Sequence, residues 1–431
     1  MKMPCLSFFS LSFAGTHRGL PAAGVCALCI GMMVSCGGGG GEQAVFWTDQ
    51  IEFAIYADQF NSIQDVYKVE VHYFDSPAQK LAQGLEYPDI VAGQWLKSAS
   101  TRTLLNPLDK LFKDQTLDED HFYPQLLALG KIENRQYLLP VSFNIPALVF
   151  ARGNGSLISN PFTIGLEEIK ALGRDYNQEN GVAYSRMGFS PAWNDEFLFV
   201  TTKLFNAGFR EANPLAWDSQ AVERAIVYNQ QWIREANTSI QQVDDFTFKY
   251  FYDPPAKRLI SGHILFAYMG SAELFTMTQE RRDALDFRWI AEANTIPLNE
   301  DMVYYGICKK GKAKKAAEAF TCWFFQPETQ MQLLESARDR RITENSFGIG
   351  GGFSALRSVT EQIFPRFYPI LLGHIPPEDY LVPPNVLPRN WPALKEKVIL
   401  PYMHDRIRHD SKDEIVPLER RINEWIRLNR E

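Results

Sequence analysis

An α/β architecture in two discontinuous lobes joined by a hinge is what this sequence predicts, and three observations carry that expectation. Short apolar strands alternate with helical stretches from Ala44 onward, the pattern that builds mostly parallel sheets with functional loops at the strand ends. The stretch Gln136–Arg152, QYLLPVSFNIPALVFAR, is long and apolar but interrupted by Pro140 and Pro146. Each proline removes a backbone donor and pushes the preceding residue toward extended geometry, so two strand pieces in tandem are expected where apolar density alone would suggest a helix. A second extended stretch, Asp301–Cys308, brings the chain back later.

Length agrees with more than one core. The chain has 431 residues, 45% of them hydrophobic, and single cores stop growing at about 250 to 300 residues. In the proline-broken stretch, Leu138 and Leu139 close one sheet, Ala147 to Phe150 open another, and Val141 to Ile145 form an exposed crossing where ligands tend to bind. A single bent core strand is the other reading of the same residues.

The N-terminus speaks to compartment. Lys2 and Arg18 are the only formal charges before Ala22, and the apolar run ending at Cys36 is short for a bilayer span. That pattern predicts an export signal over residues 1–35. Met33-Val34-Ser35-Cys36, followed by five glycines, resembles a lipobox, which implies a lipid-bearing Cys36 and a glycine-rich tether over 36–43. Met33 stands where that motif usually has Leu, and a plain signal peptide or weak membrane anchor is the alternative. Beyond Cys36 only Cys308 and Cys322 remain; they make no disulfide framework and no zinc-spaced set, and read as buried thiols. A net charge of −7 offers no basic field to a nucleic-acid backbone.

The elements follow in order. Ala44–Trp47 and Phe53–Ile63 make a βα unit, Val69–Phe74 and Pro88–Ala92 are further strands, and a helix spans Tyr123–Leu129. Thr163 is read as the N-cap of a helix running toward Leu172. An aromatic turn, Gly188–Trp193, precedes a helix over Glu196–Asn206, and Asp218 caps Ala221–Ala236. Strands at Ile264–Tyr268 and Phe287–Ile290 lead to the returning stretch and the helix Lys314–Phe325. Two late helices surround Leu394–Ile407 and Pro417–Leu428. Glycosidase-type carboxylates are abundant, but there is no GxSxG elbow, HExxH or Walker loop. His404 and His409 are five apart and do not stack on one helical face as metal ligands would. No metal or cofactor is expected.

The order of these elements resembles the extracellular solute-binding proteins of bacterial ABC importers, the family of maltose-binding lipoproteins. VFWTDQ, PDIVAG, LNPL, NRQYLLPVSFNIPALVFAR, FAYMGSAE, VYYGICKKGKAKKAAEAFTCWFFQPETQ and PRNWPALKEKVILPYM carry the resemblance. It implies a periplasmic-binding-protein-like (type II) fold, with one lobe from 44–141 and 302–328 and the other from 142–301 and 329–431. It also implies a lipid-anchored, exported, monomeric receptor that closes on a small solute, favoured to be a sugar or oligosaccharide, and presents it to a membrane permease. Sugar sites need flat apolar faces and planar polar groups. On this map the candidates are Asp49, Gln50, Gln94 and Trp95 in the first lobe, Phe143 and Asn144 at the crossing, and Trp193, Asn194, Gly270, Ser271 and Trp391 in the second. Asp49, Trp193, Gly270 and Trp391 rank first. Successive strand residues point to opposite faces, so one of Tyr304 and Tyr305 faces the cleft, and Tyr305 is the choice. A surface glycosidase or lyase, and a structural lipoprotein without a ligand, are the competing functions.

Overall fold

The computed structural model describes residues 41–181, 183–341, 346–409 and 414–429; the export signal, Cys36 and the tether as far as residue 40 lie outside them. The ordered fold starts with β1 (Glu42–Thr48), earlier than Ala44, because Glu42 and Gln43 already pair with Tyr67 and Lys68.

Two sheets form. The first is built from β1, β2 (Tyr67–Tyr73), β3 (Ile90–Gly93), β4 (Leu139–Phe143), and two strands from later in the chain. The second takes β5 (Pro146–Ala151), β6 (Thr163–Ile164), β7 (Phe266–Gly270) and β8 (Leu285–Ile290) in the order β7-β5-β8-β6. The chain then returns to the first sheet with β9 (Val303–Ile307) and β10 (Phe353–Ser354), completing the order β10-β4-β9-β3-β1-β2. β1 runs parallel to β2 and β3, while β9 lies antiparallel between β3 and β4. The split of the proline-broken stretch into β4 and β5, in different sheets, is therefore as the prolines predict.

Helical periodicity fixes what covers the first sheet. In the helix Glu52–Ile63 the buried residues Phe53, Tyr56, Ala57 and Phe60 recur at the spacing of one face. Phe53 meets Phe46 of β1 edge to face at 4.8 Å, and Phe60 meets Phe320 of the helix Lys314–Phe324 at 5.3 Å. In the second lobe, Asn194 and Asp218 cap the helices Asp195–Leu204 and Ser219–Ala236 through their side-chain oxygens. Trp232 is buried there against Phe189 and Phe197.

Three expectations are corrected. Thr163 is not a helix cap: it sits in β6, paired with Trp289, and the helix begins at Leu166 with Gly165 before it. The crossing between sheets is not exposed: Asn144 is 5% and Ile145 0% accessible. Ser142 Oγ donates to the Gly350 carbonyl (2.8 Å) and Asn144 Nδ2 to that of Gly351 (3.1 Å), so the glycine loop at 348–352 roofs the crossing. Finally, sheet membership does not change sides at 328/329. β10 pairs with β4, and Ser354 Oγ donates to Gln330 Oε1 from the helix Pro327–Asp339, which ties both to the first sheet. The chain reaches second-sheet residues later, where Trp289 Nε1 donates to the His374 carbonyl.

Candidate ligand-binding cleft

Parallel strands deliver their C-terminal ends to a common edge, where backbone groups and loop side chains converge. β1 ends in Thr48 and hands Asp49 to that edge, and β3 ends in Gly93 before Gln94 and Trp95. Asp49 is held there by Gln50 Nε2 (2.8 Å) and by the Gln94 amide (3.2 Å). Burial nonetheless raises its carboxyl above the ordinary range. Gly93 makes this approach possible: a Cβ there would fall 2.5 Å from Pro77 Cγ and 3.0 Å from both Asp49 carboxylate oxygens. Trp95 next to it sits at φ +64°, a region unfavourable for a bulky side chain and characteristic of functional sites.

Opposite these strand ends lie Asn194, Tyr268, Gly270 and Trp391, with Asn144 and Asp301 at the crossings. Together they line a cavity of about 550 Å³ whose walls also carry Glu196, Glu273, Glu300, Glu396 and Lys395. A second cavity of about 670 Å³ adjoins it, sharing Gln94 and Trp95 and adding Asp49, Ser76, Arg389 and Trp425. Trp391 packs between Phe199 (5.9 Å) and Phe209 (5.5 Å) and is 1% accessible, yet its Nε1 has no partner among the described residues.

The electrostatics centre on Glu300. Lys203 Nζ reaches Oε1 and Lys395 Nζ reaches Oε2, both at 2.6 Å, and Lys395 also holds Glu196 at 2.6 Å. Burial opposes the charge, but the two ammonium groups overcome it and hold the Glu300 carboxyl at about 2. Asp301 behaves in the opposite way. Burial, then the neighbouring Glu300 charge, push it up to about 6 despite a hydrogen bond from Asn144 Nδ2 to Oδ2 (3.2 Å). Its Oδ1 is buried without a partner among the described residues. Asn144 is the junction of the crossings: besides Asp301 and Gly351, its Oδ1 accepts from Ser271 Oγ (2.7 Å) and its carbonyl from the Asn299 amide (2.9 Å).

Of the residues singled out in the sequence, Asp49, Gln94, Trp95, Asn144, Asn194, Gly270 and Trp391 line these two cavities. The others do not. Trp193 is turned into the second lobe, its ring stacked on Phe246 at 5.7 Å and flanked by Phe251 and Phe189, because Phe246, on the buried face of the helix Ile240–Tyr250, offers it a better partner than water. Phe143 is buried between Tyr123 and Phe353. Ser271 is buried and spends its hydroxyl on Asn144. Gln50 bonds Asp49 and lies against Gly351. Tyr305 faces the first core, its hydroxyl on Thr321 Oγ1 at 2.8 Å, whereas Tyr304 is the member of the pair that borders a small side cavity with Trp95, Lys97 and Glu300. The sequence reading missed Glu196, Tyr268, Glu273, Glu300, Asp301 and Lys395. A signal was available for two of them: an acid pair, Glu300-Asp301, immediately precedes an apolar strand. Lys395, four residues after Trp391, shares its helical face.

No family model matches the sequence, and no curated protein does. The fold, by contrast, has many solved counterparts. An ABC substrate-binding protein from Listeria monocytogenes in complex with cycloalternan superposes with a TM-score of 0.60 at 13% identity, covering 90% of this chain and 99% of that one. The cyclic alpha-maltosyl-1,6-maltose binding protein from Arthrobacter globiformis gives 0.58 at 16% identity, over 89% and 97%. The maltose-maltodextrin binding protein of Alicyclobacillus acidocaldarius gives 0.55 at 15% identity, over 89% and 99%. At these identities the likeness establishes the fold: two α/β lobes of the maltose-binding-protein type.

Proposed function

We propose that this chain is the solute-binding component of an ABC importer, capturing a sugar or oligosaccharide in the cleft by closure of its lobes. The observation that carries the reading is the pair of adjoining cavities at the strand ends of the first sheet, sharing Gln94 and the strained Trp95, one reaching Gly270 at the end of β7 and the other walled by Arg389, Asn390 and Trp425. The indole of Trp95 offers a flat face to a pyranose ring, while Gln94, Asn144, Asn194 and the unpartnered Trp391 Nε1 supply planar polar groups for hydroxyls. The hinge runs through the crossings at Asn144–Ile145 and Asn299–Met302, and a solute that bridges both walls favours the closed form by its differential affinity. Across the rim, the Glu211 carboxylate accepts from the Ala99 amide at 2.9 Å and fastens the two sides. The binding step is non-covalent. In this reading Cys36 bears lipid and holds the monomeric receptor on the outer side of a bacterial membrane beside its permease.

The test is a thermal-shift panel of sugars, amino acids and polyamines on the full chain in mild detergent. A solute bound by the native state at a hundredfold excess over its Kd adds about 2.7 kcal/mol of stability and raises the Tm. Sugars are expected to do so, and Trp95→Ala to weaken that response; a panel in which no sugar shifts the Tm defeats the proposal.

One observation favours a second reading, a surface glycosidase: two carboxyls of the cleft, Glu300 and Asp301, have proton affinities pushed apart. Against it, each Glu300 oxygen is held by a lysine, leaving no free nucleophile there. Release of reducing ends from oligosaccharides, abolished by Asp301→Asn, would reinstate it.

A further inference from the structure

The first sheet has a second row of loops, at its strand starts. β1, β2 and β3 run parallel toward the cleft, so the loops that feed their first residues lie at the opposite edge of the sheet, about 20 Å away along the seven-residue β1. β9 runs antiparallel to β3, with Ile307 opposite Ile90, and so delivers the turn that follows it to that same edge. In this turn Lys309, Lys310, Lys312, Lys314 and Lys315 fall within seven residues, and all are exposed. Asp89, just before β3, accepts the Ala313 amide through Oδ1 (2.7 Å), and Glu42, the first residue of β1, accepts the Lys315 amide through Oε1 (3.0 Å). The two bonds pin the lysine turn beside the point where the tether enters the fold.

The charge there is lopsided. Lys314 faces Glu318 at 3.8 Å, Lys309 Nζ donates to the Thr103 carbonyl, and Lys310 lies 4.2 Å over the Tyr87 ring. Lys309, Lys310, Lys312 and Lys315 have no carboxylate within ion-pair distance among the described residues. The exposed acids of the loops into β2 and β3, Asp65 and Glu86, face Lys68 and Lys80 instead. This cationic excess stands on a chain whose net charge is −7, so it belongs to the edge and not to the composition. Apolar side chains accompany it. Ile63 and Val66, before β2, are 60% and 63% exposed, and Leu85, before β3, is 81% exposed. Gly41 passes so close to Val66 that a Cβ on it would collide with the Val66 carbonyl, which puts this apolar residue beside the end of the tether.

Cys36 is five residues from Gly41, a reach of at most about 18 Å for a fully extended chain. An acyl chain on Cys36 would therefore hold this edge, and not the cleft beyond it, within reach of the bilayer. Borrowing only that anchor from the reading above, we infer that the edge is a membrane-docking face. The lysine turn binds the headgroups of anionic phospholipid, while Ile63, Val66 and Leu85 enter the interface. Basic segments next to a membrane anchor are drawn to anionic lipid, and a neutral bilayer offers their ammonium groups no counter-charge. Docked in this way, the receptor stands on its first lobe with Asp49, Gln94 and Trp95 turned away from the membrane, toward the solution that supplies the solute.

The experiment reconstitutes the full chain from detergent into phosphatidylcholine vesicles, with or without phosphatidylglycerol as about a third of the lipid. Exposed lysines are acetylated and read by peptide mass spectrometry. In the anionic vesicles labelling of the 309–315 turn should fall about 5-fold or more relative to the neutral ones, while Lys249 and Lys257, exposed on the second lobe, label equally in both. Raising the salt to about 1 M, where the screening length is about 3 Å, should restore labelling of the turn. The double substitution Lys312→Glu and Lys315→Glu, at two exposed positions, should return the remaining lysines of the turn to their neutral-vesicle labelling. Equal labelling of the turn in the two vesicles, a loss shared by Lys249 and Lys257, or protection that survives the double substitution overturns the inference. The mass of the N-terminal peptide reports acylation of Cys36 separately, and sugar-induced Tm shifts report the binding role, so if either fails the labelling ratio still decides the membrane face.

Discussion

Asp301→Asn should make the ligand-free protein more stable. The substitution keeps the size of the side chain and its carbonyl oxygen, so the bond from Asn144 Nδ2, 3.2 Å long, has an acceptor still. What disappears is the charge. The carboxyl rises from its ordinary 3.8 to about 6, first through burial and then through Glu300. At about 1.4 kcal/mol per tenfold change in proton affinity, the full rise corresponds to roughly 3 kcal/mol, and the partial accessibility of the side chain reduces the expected gain to about 1 to 3 kcal/mol. The sign follows from which state holds the proton. Between pH 3.8 and 6 the unfolded chain releases it while the folded chain keeps it, so wild-type stability falls as pH rises through that window. The Asn variant has no such fall. Urea denaturation of the ligand-free protein should therefore show equal stabilities near pH 3.8 and a variant advantage that is complete by pH 7. A variant less stable than wild type at pH 7, or an advantage of the same size at both ends, would refute the reading of Asp301 as a carboxyl whose burial outweighs the stabilisation it receives from Asn144, Lys203 and Lys395.

Glu300→Gln should act in the opposite direction. It leaves Lys203 buried without a carboxylate and Lys395 with Glu196 alone, a loss of about 3 kcal/mol at pH 7. The Glu300 carboxyl is depressed from 4.5 to about 2, so the gap between wild type and variant in urea melts should persist above pH 4.5 and close as pH falls toward 2. Gly93→Ala should destabilise the first lobe by about 1 to 3 kcal/mol, because the new methyl meets Pro77 at 2.5 Å and must displace it or Asp49; a chemical melt indistinguishable from wild type would contradict the packing described. Glu211→Ala removes the acceptor that holds the Ala99 amide across the rim. Solute affinity should fall about 2- to 5-fold, as expected for one partly exposed hydrogen bond, with small-angle scattering showing a more open ligand-free form; unchanged affinity and shape would remove the latch.

What the sequence determined by itself was local. Proline placement separated β4 from β5, since a missing donor and a biased predecessor act within two residues. The spacing of Phe53, Tyr56 and Phe60 set a helix and its buried face, and Asp218 announced a helix start through its own side chain. Alternating strands and helices gave the two-lobed α/β class, and with it the strand ends at which Asp49, Gln94, Trp95 and Gly270 had to lie. The tertiary structure alone decided which way a ring turns and which charges meet. Trp193 and Trp391 look equally good as platforms in the sequence, yet one is claimed by Phe246 and Phe251 from a helix about fifty residues away in the chain while the other borders the cavity. The same holds for Glu300, whose two lysines come from positions 203 and 395, and for β10, which returns to β4 from the far side of a helix. Contacts of that span depend on the closure of the whole chain, and burial, which sets the proton affinities of the cleft, exists only once that closure has occurred.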